Sequence, residues 1–274
     1  MTDTYATSHA AVDPDTVAAE RFTRLQGPAE LRAALLALLM PTASKRAAHA
    51  WDVETADVPS AVGLFQLAAG LSARARLPWV EVLLSRMAQQ PLAVRQELLH
   101  ATRRAMGARG WVRPLDRLHW LAMRRALGEV SSSAVRAEAN SEVAEWLETD
   151  VLSLATYTAY LSRMVPDERA DGVAGARWYA VVMTAWQPFA DAPDCQPPKG
   201  EQMAEALSRL QTLSPMQLPL VVRSWVSSAM RAATGTRLED VAADALRLSC
   251  RLLDTPLPPE LERHFLTIPV DPAS

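Results

Sequence analysis

Cysteine is scarce: Cys195 and Cys250 are the only two in 274 residues. One lies in a proline-rich stretch and the other inside a helix-forming run, which excludes a disulfide framework and metal-binding Cys spacing. A reducing compartment, the cytoplasm, is therefore expected. Lysine is scarcer still than arginine would suggest, with only Lys45 and Lys199. The positive charge is nearly all guanidinium, a group suited to carboxylate and phosphate but also favoured by GC-rich coding. Aromatic residues make up 6% of the chain and glycine only 10 positions. Without many β-branched and aromatic residues a sheet has little to pack with, and Ala, Leu and Arg favour helix, so almost no strand is expected. No apolar run approaches the roughly 18 residues that a membrane helix needs. The opening MTDTYATSHAAVDPDT lacks a basic n-region and an apolar h-region, so neither export nor a membrane span is expected.

Motifs that carry chemistry are missing as well. There is no G-x-S-x-G, Cys/His signature, G-x-G-x-x-G or G-x-x-x-x-G-K-[ST], hence no recognisable nucleophile or phosphate cradle. His9, His49, His100, His119 and His264 include no i,i+4 pair. His100 and His119 fall on adjacent helices and could meet, though core or boundary placement is the commoner fate of such histidines.

What the chain does have is a repeat. LSRMAQQPLAVRQELLHATRRAMGARGWVRPLDRLHWLAMRRAL, from Leu84 to Leu127, returns in degraded form as LSRLQTLSPMQLPLVVRSWVSSAMRAATGTRLEDVAADALRLSCRLL, from Leu207 to Leu253. Each copy opens on Leu-Ser-Arg, passes a proline, ends a long periodic segment on Ala-Met, reaches a glycine (Gly110, Gly235) and closes on a Leu/Arg-rich helix. Charge is polarised around the first copy. Residues 70–128 carry eleven arginines and a balance of +8, residues 129–171 a balance of −6.

Proline, glycine and capping residues divide the rest. A disordered leader is expected over 1–16, with Asp13-Pro14 capping a helix from about Val17 to Leu25. An N-terminal helical unit follows over 17–130, containing the apolar run LRAALLALLM and a core at 77–128 whose first helix opens at Pro78 as its N1 residue. A helical middle segment and Pro-rich linker span 131–200. In it, Ser131–Ser133 cap an amphipathic helix with Glu138, Glu142, Glu145 and Glu148 on one side and Val135, Ala139, Val143 and Trp146 on the other. A second unit covers 201–264 and a loosely held tail 265–274.

The order LQGPAELRAALLALLMPTASKRAAHAW, RLPWVEVLLSRM, GARGWVRPLDRLHWLAMRRAL, LSPMQLPLVVRSWVSSAM and ALRLSCRLLDTPLPPEL resembles the cytoplasmic C-terminal region of bacterial HtpX-type membrane-bound zinc metallopeptidases, over about residues 20–262. Each half is in turn similar to TerB-like helical domains. The resemblance implies an all-α fold of tandem TerB-like bundles joined by a helical middle segment, in a module that normally accompanies a membrane peptidase. The departures matter. The H-E-x-x-H helix that would hold zinc is absent, as are the membrane helices, so no protease follows. Where the TerB-like turn carries Asp-Gly and a Glu in the next helix, this chain has Arg109-Gly110 with Asp116, and Thr234-Gly235 in the second copy. Losing the turn acid removes the hard-cation ligand, and neither a metal nor a cofactor is expected.

The expected function is that of a non-catalytic interaction module: an adaptor, regulator or inhibitor-like partner of another bacterial protein. Its candidate partner-binding residues are Arg95, Arg103, Arg104, Arg109, Arg113 and Arg117, with Trp79 and Trp111 as exposed anchors near helix starts. Three fates for these arginines compete: neutralisation by the Glu138–Glu148 face, docking of an acidic protein partner, or contact with an anionic membrane surface or nucleic acid. Nucleic acid is disfavoured by the shortage of lysine, glycine and exposed aromatics. A bundle holding a small apolar ligand between its units, and an enzyme with an unfamiliar site, are the alternatives. A pocket with convergent polar groups would favour those two, and a flat apolar patch rimmed by arginines would favour the adaptor.

Overall fold

The computed structural model describes residues 13–40, 44–108, 110, 112–128, 146–169, 171–191, 193–233 and 237–268. Thirteen helices and no strand occur among them: α1 (Pro14–Thr23), α2 (Pro28–Leu39), α3 (Lys45–Glu54), α4 (Ala61–Gly70), α5 (Ala73–Ala88), α6 (Leu92–Ala108), α7 (Pro114–Leu127), α8 (Glu148–Leu161), α9 (Val173–Thr184), α10 (Gly200–Leu210), α11 (Gln217–Ala232), α12 (Asp240–Leu252) and α13 (Pro259–Glu262). The protein is all-α.

Local chemistry explains most boundaries. Pro14, Pro28 and Pro114 stand at N1 of α1, α2 and α7, where the absent N–H was an orphan in any case. Asp13 caps α1, its carboxylate accepting from Asp15 N at 3.4 Å and Thr16 Oγ1 at 3.1 Å. At N3 of α7, Asp116 accepts from Arg113 N at 3.0 Å, and at N3 of α8, Asp150 accepts from Leu147 N at 3.2 Å. Gly110 makes the turn between α6 and α7 at φ 87°, left-handed backbone that a side chain disfavours.

Three boundaries differ from expectation. Residues 14–16 are helical, so the described part of the leader belongs to α1, and Asp15 ties it to the body by accepting from Ser72 N at 2.8 Å. Pro78 does not open a helix: α5 begins at Ala73 and carries the proline inside. The missing N–H leaves Arg74 O, its i−4 acceptor, free, and that oxygen takes Leu266 N at 3.2 Å. The start of the supposed tail is docked for the same reason. Arg74 donates to His264 O and Arg263 O, Phe265 is buried, and Arg247 stacks 4.5 Å above its ring. The Glu-rich helix expected over 134–148 lies, up to residue 145, outside the described residues, and its last residue, Glu148, opens α8.

Packing follows apolar periodicity. α2, with every residue from Ala33 to Leu39 buried, is the central helix of the N-terminal half and packs on α4 and α5. The two copies of the repeat become α5–α6–α7 and α10–α11–α12. In each, the middle helix packs on the third, and the two third helices, α7 and α12, pack on one another. The first helices differ: α5 packs on α7, whereas α10 lies chiefly against α8. One apolar core runs from Ala18 to Phe265 without a break between the copies. In the second half it encloses a satisfied polar chain, Trp178 Nε1 to Trp225 O (3.3 Å), Trp225 Nε1 to Thr158 Oγ1 (2.9 Å) and Tyr157 Oη with Ser249 Oγ (3.0 Å). Buried polar groups so paired fix one core arrangement.

Candidate functional site

The destination of the arginines decides what surface is left to act. Four of them end on helix C-terminal or loop carbonyls, a fate absent from the three weighed above. Arg76 donates to Ala37 O (3.3 Å), Leu38 O (2.8 Å) and Met40 O (3.1 Å) at the end of α2 and to Ala68 O (2.8 Å) near the end of α4. Arg86 donates to Phe22 O, Thr23 O and Leu25 O at the end of α1, and Arg95 to Leu127 O and Gly128 O at the end of α7. Arg74 grips the C-terminal segment as described. The last carbonyls of a helix lack intrahelical donors and form the negative end of its dipole, so a guanidinium satisfies both at once.

Others meet carboxylates. Arg104 chelates Glu54 (2.7 and 2.8 Å) and reaches Glu97 (2.9 Å), Arg113 pairs with Asp116 (3.1 Å) and Arg125 with Asp254. Arg95, Arg104 and Arg113 are therefore engaged within the chain, although Arg104 stays exposed. Trp79 is also corrected: it is 1% exposed and packs edge-on against Phe22, ring centroids 5.4 Å apart. Once α5 starts at Ala73, Ala75, Trp79, Leu83 and Met87 form a buried i,i+4 stripe, so the indole points inward. Arg109 and Trp111 lie outside the described residues, as do Glu138, Glu142 and Glu145. Of the expected set, Arg103 and Arg117 remain, and Arg124 joins them. None of the three makes a hydrogen bond or ion pair with a described residue, and Arg103 and Arg124 are exposed.

Arg124 lines a groove of about 640 Å³ between α6, α7 and α10, where the two copies of the repeat meet. Leu92, Leu99, Leu121, Leu127, Leu207 and Leu252 form its walls, and Gln96, Arg124, Arg125 and Gln211 its rim. Leu92, Gln96, Leu99 and Arg103 stand at i, i+4, i+7 and i+11, one face of α6, so Arg103 lies one turn beyond the groove's Leu99. Arg117 precedes Leu121 by one turn on α7 and lies against Gly200 at the start of α10. The charged side chains on the rim are all basic. A second apolar groove, about 670 Å³ between α11 and the 256–259 prolines, has charges of both signs, Arg223, Arg231 and Glu260.

A different arrangement occupies the cleft enclosed by the end of α2, α5, α7 and α12, of about 390 Å³. Its apolar wall includes Leu38, Met40, Leu77, Val80 and Leu115, and into it converge Arg76, Arg113, His119 and Asp244. Asp244 makes no hydrogen bond with a described residue. Burial, then the neighbouring Asp240, push its carboxyl up to about 8 against the opposing pull of Arg247 and Arg76. It is thus protonated near neutral pH. His119 lines this cleft while His100 is exposed outside it, so the two histidines do not share a site. Asp244 was legible only in part: Asp240, Asp244, Arg247 and Arg251 form a polar stripe on an otherwise apolar α12, but its destination is a tertiary fact.

Among the described residues no group of three or more His, Cys, Asp or Glu side chains is placed to hold a metal ion, and no helix is long and apolar enough to cross a membrane. Neither a family model, nor a curated protein, nor a solved structure matches the chain.

Proposed function

We propose that the protein is a non-catalytic interaction module that seats an acidic amphipathic helix of a protein partner in the groove between α6, α7 and α10. The observation that carries this reading is the pairing of leucine walls with a rim whose charges are all guanidinium. Among the described residues Arg124 on that rim and Arg103, one turn beyond Leu99 on α6, lack partners, while Arg125 is paired with Asp254, and Arg95 and Arg104 are tied to carbonyls or carboxylates. A groove walled by parallel ridges of side chains accepts a helix through anchors one and two turns apart. Its α6 wall runs about 10 Å from Leu92 to Leu99, room for two turns. Basic rims steer acidic partners and fix their register. The duplicated three-helix order supports kinship with tandem TerB-like modules of HtpX-type peptidases, and an adaptor or regulator without the peptidase is the role that kinship suggests.

A photo-crosslinking amino acid at Leu92, which is 36% exposed, tests this against the same group at Val62, 65% exposed and away from the groove. A covalent adduct with another protein, mapped to an acidic helix and specific to the Leu92 position, supports the reading. An adduct with residues 129–145 of the same chain, or none, contradicts it.

A further inference from the structure

The Asp244 cleft is distinct from the docking groove and has a chemistry of its own. We propose that the cleft between α2, α5, α7 and α12 binds a small amphipathic monoanion, a carboxylate on a short hydrocarbon chain, with its head group at Asp244, Arg76 and Arg113.

Charge balance points to an anion. Arg113 is neutralised by Asp116 at 3.1 Å. Outside the cleft lining, Glu81 of α5 pairs with Arg247 at 2.5 Å and with Arg251 at 3.8 Å, and Asp240 meets His264 at 3.1 Å, an imidazole whose protonation burial disfavours, so that contact is a hydrogen bond and not a charge pair. Arg76, by contrast, donates only to neutral carbonyls, and the carboxyl nearest to balancing it, Asp244, carries a proton near neutral pH. The cleft is left with one uncompensated positive charge and one unengaged O–H donor. A carboxylate head satisfies both, accepting from Asp244 and meeting the guanidinium field. A cationic head meets the Arg76 charge and pairs with Asp244 only once that carboxyl gives up its proton. A phosphate dianion would need more donors than remain, because both Nη atoms of Arg76 already serve α2 and α4.

Size and polarity limit the rest of the molecule. The wall opposite the charges is hydrocarbon, so a tail that removes it from water gains the usual apolar contribution. Taking a heavy atom with its hydrogens as about the volume of a water, roughly 30 Å³, the ten heavy atoms of octanoate occupy about 300 Å³, which the cleft of about 390 Å³ admits.

Isothermal titration calorimetry with octanoate and, for contrast, octylamine tests the assignment on the full chain. Octanoate is expected to bind at pH 7 and to weaken about thirtyfold by pH 9.5, as Asp244 loses the proton it donates. The groups facing Asp244 are Arg76 and Glu81 from α5, Arg113 and His119 from the α7 side, and Asp240 and Arg247 from α12; the transition is assigned to Asp244 alone. Asp244→Asn keeps a neutral donor, so it should bind octanoate with an affinity that no longer changes over this range. Absence of octanoate binding at millimolar concentration, equal binding of octylamine, or a wild-type affinity that ignores pH would each overturn the proposal.

Discussion

Replacing Arg76 by methionine tests the claim that this arginine holds helix ends together. Methionine keeps the hydrocarbon stem and removes the guanidinium. Leu38 O and Met40 O at the end of α2 and Ala68 O of α4 then lose the guanidinium donor, while Ala37 O keeps Met40 N. A hydrogen bond from a charged donor contributes about 1.5–3 kcal/mol, and a buried acceptor left unpaired costs about 1–3 kcal/mol. These values do not add, and the cleft admits water to the acceptors at its mouth. The two bonds of 2.8 Å, to Ala68 O and Leu38 O, therefore set the scale. A loss of about 3 kcal/mol is expected, or about 6–12 °C in Tm at two to four degrees per kcal/mol. No ionisation at Asp244 offsets the loss, because removing a positive neighbour leaves its carboxyl still more firmly protonated. Urea titration followed by circular dichroism measures the difference, with Arg103→Met as the control expected to change stability by less than about 0.5 kcal/mol. A cost below about 1 kcal/mol for Arg76→Met would refute the capping role.

Other parts of the fold make equally definite predictions. A Cβ added at Gly175 would sit 1.7 Å from Ser162 O, main chain that cannot swing aside, so Gly175→Ala should force α8 and α9 apart and cost about 3 kcal/mol or more in thermal melts; a near-neutral result would contradict the close crossing. Phe265→Ala should cost about 3 kcal/mol by emptying the seat between α5 and α12, whereas a free tail would tolerate it. Asp244 supplies a pH dependence. Its folded pKa lies near 8, above the ordinary 3.8, so its contribution is fully present below about pH 4 and is lost as pH rises towards 8. Asp244→Asn should accordingly be more stable than wild type at pH 8 by at least about 1 kcal/mol, with the gap closing by pH 4; a gap that is constant with pH would contradict the buried, protonated carboxyl.

Helical class and the repeat were legible because they rest on local chemistry: Ala/Leu/Arg composition, proline at N1, and apolar residues three and four apart. The errors at α5 share one cause. Proline at N1 is the common placement, but at Pro78 the consequence of an interior proline, a free Arg74 carbonyl, is resolved by a strand of chain 188 residues later in sequence, at Leu266. That misplaced start also put Trp79 on a first turn, although the spacing of Ala75, Trp79, Leu83 and Met87 already marked a buried face. The arginines show why side-chain partners are harder to read than helices. Carboxylates can be counted in a sequence, but the carbonyls that engage Arg76, Arg86 and Arg95 belong to the ends of other helices, and every helix has them. The groove and the Asp244 cleft both lie where elements from the two copies of the repeat come together, so neither existed as a pattern along the chain.

The docking reading is tested most directly by the double charge reversal Arg103→Glu with Arg124→Glu in the protein carrying the crosslinker at Leu92. Loss of the partner adduct with Tm unchanged to within about 2 °C is the expected result, since neither side chain has a partner among the described residues. An adduct that persists undiminished in the reversed protein would contradict a groove whose basic rim selects an acidic helix.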